Sequence, residues 1–142
     1  MIARLLVSSL LMVVCVAIHA AGLAWAIRWL RRSPIPPARF WPSLRLFATI
    51  AVWMVLLHLL EISAWAALFT VGRALPDLMT AFYFSAVTYT TTGYGDIVLP
   101  PQWRFGSAVE ALTGILMCGW STGFFFAIVN RLYQTQATPT SV

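Results

Sequence analysis

The sequence predicts an all-α membrane protein with three spanning helices and one shorter helix that enters the membrane and turns back. Three observations lead there. Of 142 residues, 61% are hydrophobic and only 9% are charged, with a mean hydropathy of +0.84; a soluble domain carries about 25% charged residues. The apolar residues fall in long runs rather than in the short periodic pattern of a globular core. The breaks between runs are marked by proline, arginine and glycine. The length allows a single domain.

The first run, Leu5 to Leu30, exceeds the ~20 residues a helix needs to cross a bilayer. It is too long for the apolar part of a signal peptide, and its basic residues follow it rather than precede it. It reads as a retained spanning helix over residues 1–30. Residues 31–43 form a polar linker in which Pro34, Pro36, Pro37 and Pro42 cannot continue a helix interior. Ser43 is placed to cap the next helix, which runs from Leu44 to Val71. After the turn Gly72-Arg73-Ala74-Leu75-Pro76-Asp77 comes an apolar and aromatic segment, Leu78 to Thr90, too short to span and suited to a re-entrant half-helix with Asp77 as its N-cap. Pro100 and Pro101 break the chain again, and a third spanning run extends from Trp103 to Leu132. The remainder, 134–142, is a short polar tail. Trp25, Trp29, Trp41, Trp65 and Trp103 fall near helix ends, as interface anchors do.

The net charge of +5 comes from nine arginines against Glu61, Asp77, Asp96 and Glu110. Arginines beside apolar runs, without interleaved aromatics in a basic patch, are insertion signals rather than a nucleic-acid surface. Arg28, Arg31, Arg32, Arg39, Arg45 and Arg131 lie at one level, and Arg4, Arg73 and Arg104 at the other. The richer side is cytoplasmic by the positive-inside rule. This puts the N-terminus outside, the C-terminus in the cytoplasm and the half-helix on the outer side of the plasma membrane. Cys15 and Cys118 each sit inside an apolar run and read as free thiols.

The segment after the half-helix is Thr91-Thr92-Gly93-Tyr94-Gly95-Asp96. A potassium ion in a narrow pore must exchange its water shell for oxygens at similar distances, and rings of backbone carbonyls contributed by four chains can supply them. Aiming successive carbonyls at one axis needs backbone conformations that ordinary residues resist; Gly93 and Gly95 adopt positive φ without penalty. Thr91 adds a hydroxyl, Tyr94 can brace the strand against Tyr83 and Phe84, and Asp96 adds negative charge at the outer mouth. The C-terminal end of the half-helix, near Thr90, turns its partial negative charge toward the pore.

This segment resembles the potassium-channel filter signature Thr-Val-Gly-Tyr-Gly-Asp at every position except the second. The order of outer helix, pore helix, filter and inner helix over 44–133 is similar to that of the two-transmembrane bacterial potassium channels. The resemblance implies a homotetramer whose outer helix (44–71), pore helix (78–90), selectivity filter (91–96) and inner helix (103–132) surround a four-fold axis. It implies potassium ions at the carbonyls of Thr91, Thr92, Gly93 and Tyr94, with Gly95 completing the filter, and no cofactor. The first helix is an addition to the simplest members. Thr92 replaces valine, so its hydroxyl needs a partner. Val87 stands where many members carry a pore-helix glutamate, and Phe84 where some carry a tryptophan that bonds the outer aspartate, so Asp96 must be held by another group.

Further residues are candidates for filter support or gating. Glu110 lies about two turns into the third spanning helix and reads either as a filter support bonded to Thr92 or the pore-helix end, or as a helix-packing group. His58 and Glu61 share a helix face, as a proton-sensitive gate or, the favoured reading, as polar glue between the first two helices; His19 reads as packing. Gly114 and Gly119 match the glycine hinge of the family's inner helix, whereas Gly119 and Gly123 also have the small-xxx-small spacing of close packing. Nothing in the sequence pairs a nucleophile with a base or assembles a phosphate loop, so an enzyme is not expected. Besides passive potassium conduction, two readings stay open: a weakly selective cation channel, prompted by Thr92, and a non-conducting regulatory membrane subunit.

Overall fold

A computed structural model describes residues 2–32 and 40–137, with side chains as far as Arg131. Most of the linker expected over 31–43 and the last residues of the expected tail lie outside the described residues. The described residues are helical without strands: α1 is Ile2–Arg32, α2 Phe40–Val71, α3 Leu78–Tyr89 and α4 Arg104–Ala137, the last preceded by a single 3₁₀ turn, Pro101–Trp103. Three helical stretches, α1, α2 and Pro101–Arg131, which takes in most of α4, are long and apolar enough to cross a membrane. The chain is therefore an all-helical membrane protein.

The first helix, expected over 1–30, is described from Ile2 and carries Arg4 within it, whereas the start of the second differs from the sequence reading. The second begins at Phe40, so Pro42 stands in its first turn and Ser43 is inside the helix rather than capping it. Proline is tolerated there because the first N–H groups of a helix have no intrahelical partner to lose. Asp77 does cap α3, its carboxylate accepting from the Thr80 N–H at 2.9 Å and from the Thr80 hydroxyl at 2.8 Å. The Thr80 N–H holds the Asp77 carboxyl below the usual carboxylate range.

The packing of α1 follows from one stripe of its sequence. Its buried residues are Ser8, Cys15, His19, Gly22 and Ala26, spaced seven, four, three and four apart, which keeps one face turned inward. All but His19 are small, so backbones approach closely, as apolar helices in lipid require when no water drives them together. A Cβ on Gly22 would lie 2.5 Å from the Leu57 side chain, and the Trp53 indole donates to the Gly22 carbonyl at 3.2 Å. At the other end, Arg4 lies 5.3 Å above the Trp103 ring, and Ser8 Oγ is 2.9 Å from where a Cβ on Gly106 would be. Thus α1 runs antiparallel to α2 and parallel to α4.

The core centres on Trp65 and Phe69 of α2, Phe84 and Tyr89 of α3, Trp103 and Met117. Phe69 meets Phe84 and Trp103 edge-on, with ring centroids 5.6 and 5.9 Å away. Trp65 and Trp103 are therefore core residues, 0% and 5% exposed, rather than interface anchors. A second cluster, Ile50, Met54, Leu57 and Ile128, joins α2 to α4 nearer their other ends.

Candidate functional site

The site is built around the C-terminal end of α3. From Asp77 this helix descends for 12 residues, about 18 Å at ~1.5 Å per residue. It ends at Tyr89, whose ring lies beside His58 of α2 and whose carbonyl oxygen is 1.9 Å from where a Cβ on Gly114 of α4 would be. His58 and Gly114 are each about ten residues or more from the nearer ends of their helices, a depth of ~15 Å in a hydrocarbon layer of ~30 Å. The chain from Thr90 to Leu99 then returns to the level where α4 begins.

At the turn the backbone folds onto the end of α3. The N–H groups of Thr90, Thr91, Thr92 and Gly93 donate to the carbonyls of Ala86, Thr88, Val87 and Val87, at 3.2, 2.9, 3.0 and 3.2 Å. With these N–H groups turned toward the helix, the carbonyls of the same residues are available for other partners. Those bonds also engage the last carbonyls of α3, which weakens the dipole contribution expected of that end. Gly93 and Gly95 have φ of 55° and 76°; Thr91 is also left-handed, at 60°. A β-branched residue pays for that conformation, on the order of 1–3 kcal/mol, and holds it only where surrounding structure fixes it. Its place at the head of the Gly93-Tyr94-Gly95 segment was not anticipated from the sequence.

The departures from the filter signature find local partners. The Thr92 hydroxyl lies 3.0 Å from that of Thr90, which itself donates to the Ala86 carbonyl at 2.7 Å. Asp96 is held by Tyr83, whose hydroxyl donates to its carboxylate at 2.8 Å; that bond pushes the Tyr83 hydroxyl above the ordinary phenol range. Tyr83 takes over what Phe84 cannot do, while Tyr94 is 71% exposed in the single chain. Behind the segment lies an open cavity of about 180 Å³, lined among others by Tyr83, Val87, Gly93, Asp96 and Arg104.

His58 and Glu61 do join the first two helices, through His19: its Nδ1 is 3.0 Å from Glu61 Oε1. The Tyr89 hydroxyl donates to Glu61 Oε2, and His58 Nδ1 lies 3.1 Å from that hydroxyl. Ser121 Oγ on α4 is 3.2 Å from His19 Nε2 and 3.1 Å from His58 Nε2. All four helices thus meet in one polar cluster. Sequence reasoning missed Tyr89 and Ser121, because a lone tyrosine and a lone serine in apolar runs carry no spacing signal.

Glu110 is fully buried, and neither of its oxygens has a hydrogen-bond partner. The Ser85 hydroxyl of α3 is close by but falls short of hydrogen-bond geometry. Glu110 therefore does not bond Thr92; it sits against the side of α3, one helix turn before Gly114. Of the glycines in α4, only Gly106 and Gly114 make close approaches, whereas a Cβ added at Gly119 or Gly123 would meet nothing within 4 Å. Packing within the chain thus belongs to Gly106 and Gly114, and the expected contact through Gly119 and Gly123 is not made within the protomer.

Two helices long enough to span, a shorter helix between them and a Gly-Tyr-Gly segment leading to α4 follow one another along the chain. The sequence profile of the family described as Ion channel matches residues 46–131, more than half of the chain. No curated protein and no solved structure matches. The chain belongs to the ion channel family of the two-transmembrane, potassium-channel type.

Proposed function

We propose that this channel conducts potassium selectively and passively, as a homotetramer whose four return strands line one axis. The observation that carries the reading is the pairing of backbone and sequence at residues 91–95. Amides of Thr91, Thr92 and Gly93 are tied back to α3, leaving the carbonyls of Thr91, Thr92, Gly93 and Tyr94 to replace the water of the ion. Gly93 and Gly95 adopt the left-handed conformations that such a strand needs. Asp96, oriented by Tyr83, concentrates cations at the mouth. In this reading residues 44–133 form the pore domain and 78–90 its pore helix, with residues 1–30 an additional helix packed on α2 and α4.

Assembly is supported by what a single chain leaves uncovered. Tyr94 is 71% exposed, and α4 presents Phe105, Leu112, Ile115, Leu116 and Phe126 outward. The α4 surface at Gly119 and Gly123 is open as well. Copies around a four-fold axis would cover part of this surface. The arginine asymmetry supports a C-terminus in the cytoplasm and a filter on the outer side of the plasma membrane.

The test is the reversal potential of purified protein in planar bilayers with potassium on one side and sodium on the other. A value at the potassium equilibrium potential supports the proposal. Conduction reversing near zero would replace it with a weakly selective cation channel, and a folded tetramer that never conducts would replace it with a regulatory subunit.

A further inference from the structure

His19, His58 and Glu61 carry a second piece of chemistry, separate from the filter. Their donor atoms all lie within 4.8 Å of one another. Both Nδ1 atoms face the same carboxylate, His19 Nδ1 at 3.0 Å from Oε1 and His58 Nδ1 at 3.8 Å from Oε2. Both Nε2 atoms converge instead on one hydroxyl, Ser121 Oγ. That hydroxyl has a single proton, and Met54 Sδ at 3.6 Å is also in reach of it. It can therefore serve as acceptor for two imidazole N–H groups, or as donor to one imidazole at most.

When both Nε2 atoms carry protons toward Ser121, both Nδ1 lone pairs point at the Glu61 carboxylate. In that tautomeric arrangement two imidazole lone pairs and a carboxylate share one buried place, where the Tyr89 hydroxyl supplies a proton to Oε2 and a bound cation satisfies the remaining lone pairs. A carboxylate with two imidazoles, each steered by a hydrogen bond at its other nitrogen, is the donor set of a transition-metal site. Ligands of a tetrahedral zinc ion at ~2.0–2.1 Å stand about 3.3 Å apart, and the observed 3.0 and 3.8 Å separations bracket that figure.

We propose that His19, His58 and Glu61 form an intramembrane site for a divalent transition-metal ion of the zinc class. His19 and His58 bind through Nδ1 and Glu61 through its carboxylate, with the Tyr89 hydroxyl beside the fourth position. Ser121 holds both imidazoles from behind. Cys15 lies one helical turn from His19 on the same buried face, and Cys118 lies on α4 three residues before Ser121; both thiols are outside the ligand group. Entry is from the side of His58, which is 18% exposed while His19 and Glu61 are fully buried. The bound ion would fasten α1 to α2 at the level of Tyr89, the residue from which the return strand departs.

The test uses the full chain, purified without a histidine tag and titrated with Co²⁺ as a spectroscopic stand-in for zinc. The expected result is one Co²⁺ per chain, with the intense ligand-field absorption of tetrahedral cobalt, and its loss on addition of Zn²⁺. Because metal and protons compete for the same imidazole nitrogens, binding weakens as pH is lowered. His58→Ala and Glu61→Gln should abolish the tetrahedral spectrum. Since those variants remove packing as well, Ser121→Ala provides the second arm: it keeps every ligand and should weaken binding about 10–100-fold. Wild-type protein without a tetrahedral spectrum would overturn the proposal, and so would a Ser121→Ala variant that binds as tightly as wild type.

Discussion

Gly114→Ala should disrupt the channel far more than Gly119→Ala, although both make the same chemical change in the same helix. At Gly114 the new Cβ would stand 1.9 Å from the Tyr89 carbonyl oxygen and 2.8 Å from its carbonyl carbon. Contacts below 3.0 Å essentially do not occur for real Cβ atoms, so α4 and the end of α3 must separate by about 1.1 Å. The obstacle is backbone, not the far end of a flexible side chain, and Tyr89 is also fixed through its hydroxyl to Glu61. Overpacking of this kind costs about 1–3 kcal/mol. At Gly119 nothing lies within 4 Å of the added methyl, so the substitution instead gains about 1 kcal/mol of helix propensity.

Two assays read the difference: thermal unfolding of the purified protein, and the potassium-to-sodium permeability ratio in bilayers. Gly114→Ala should lower the unfolding midpoint and the permeability ratio together, because the displaced carbonyl is two residues from Thr91. Gly119→Ala should hold or raise the midpoint. If it also suppresses channel opening while leaving selectivity intact, Gly119 is the hinge and Gly114 the packing point. A Gly114→Ala protein with unchanged stability and unchanged selectivity would refute the claim that α4 positions the strand through this contact.

Other perturbations separate the remaining parts of the site. Tyr83→Phe removes the donor to Asp96 and should reduce potassium selectivity or shorten open times, with helix content by circular dichroism unchanged. Asp77→Ala removes the cap of α3 and should lower thermal stability at neutral pH. The Asp77 carboxyl sits below its ordinary range in the folded chain, so its stabilisation is present above the unfolded value and lost as pH falls through the folded one; the gap between wild type and Asp77→Ala should close in acid. Glu110→Gln keeps the shape of a buried side chain without hydrogen-bond partners and should leave the unfolding midpoint unchanged or raised, whereas Glu110→Ala should lower it by about 2–4 kcal/mol in stability through the cavity left behind.

The long elements were legible because bilayer thickness writes itself into sequence as run length: α2 and α4 follow directly from apolar runs of more than 20 residues. The half-length of α3 was legible for the same reason, together with Asp77 at its start. The start of α2 was not, since Pro42 suggests a break and is also acceptable in a first turn. The glycines of the return strand announced their backbone, but left-handed Thr91 did not, because its conformation is imposed by the bonds to Val87 and Thr88 rather than by its own preference. His58 and Glu61 declared a shared face by their spacing. Their partners His19, Tyr89 and Ser121 come from other helices, and such meetings depend on helix rotation and depth, which no local pattern encodes.

The distribution of polar groups then has a physical logic. Hydrogen bonds between membrane helices contribute only about 0.6–2 kcal/mol each, so a cluster of this size is not needed merely to keep apolar helices in lipid. Its position is what matters. Tyr89 enters it with its hydroxyl, presents its carbonyl to Gly114 and is followed after one residue by Thr91. The end of α3 is thereby fixed from α1 and α2 on one side and from α4 on the other. A change at Glu61 or Ser121 reaches the return strand through Tyr89, whereas a change at outward-facing Leu6 or Leu10 of α1 meets no such link. The additional first helix is therefore part of the scaffold that places the strand, which is why removing His19 should disturb permeation more than removing any lipid-facing residue of the same helix.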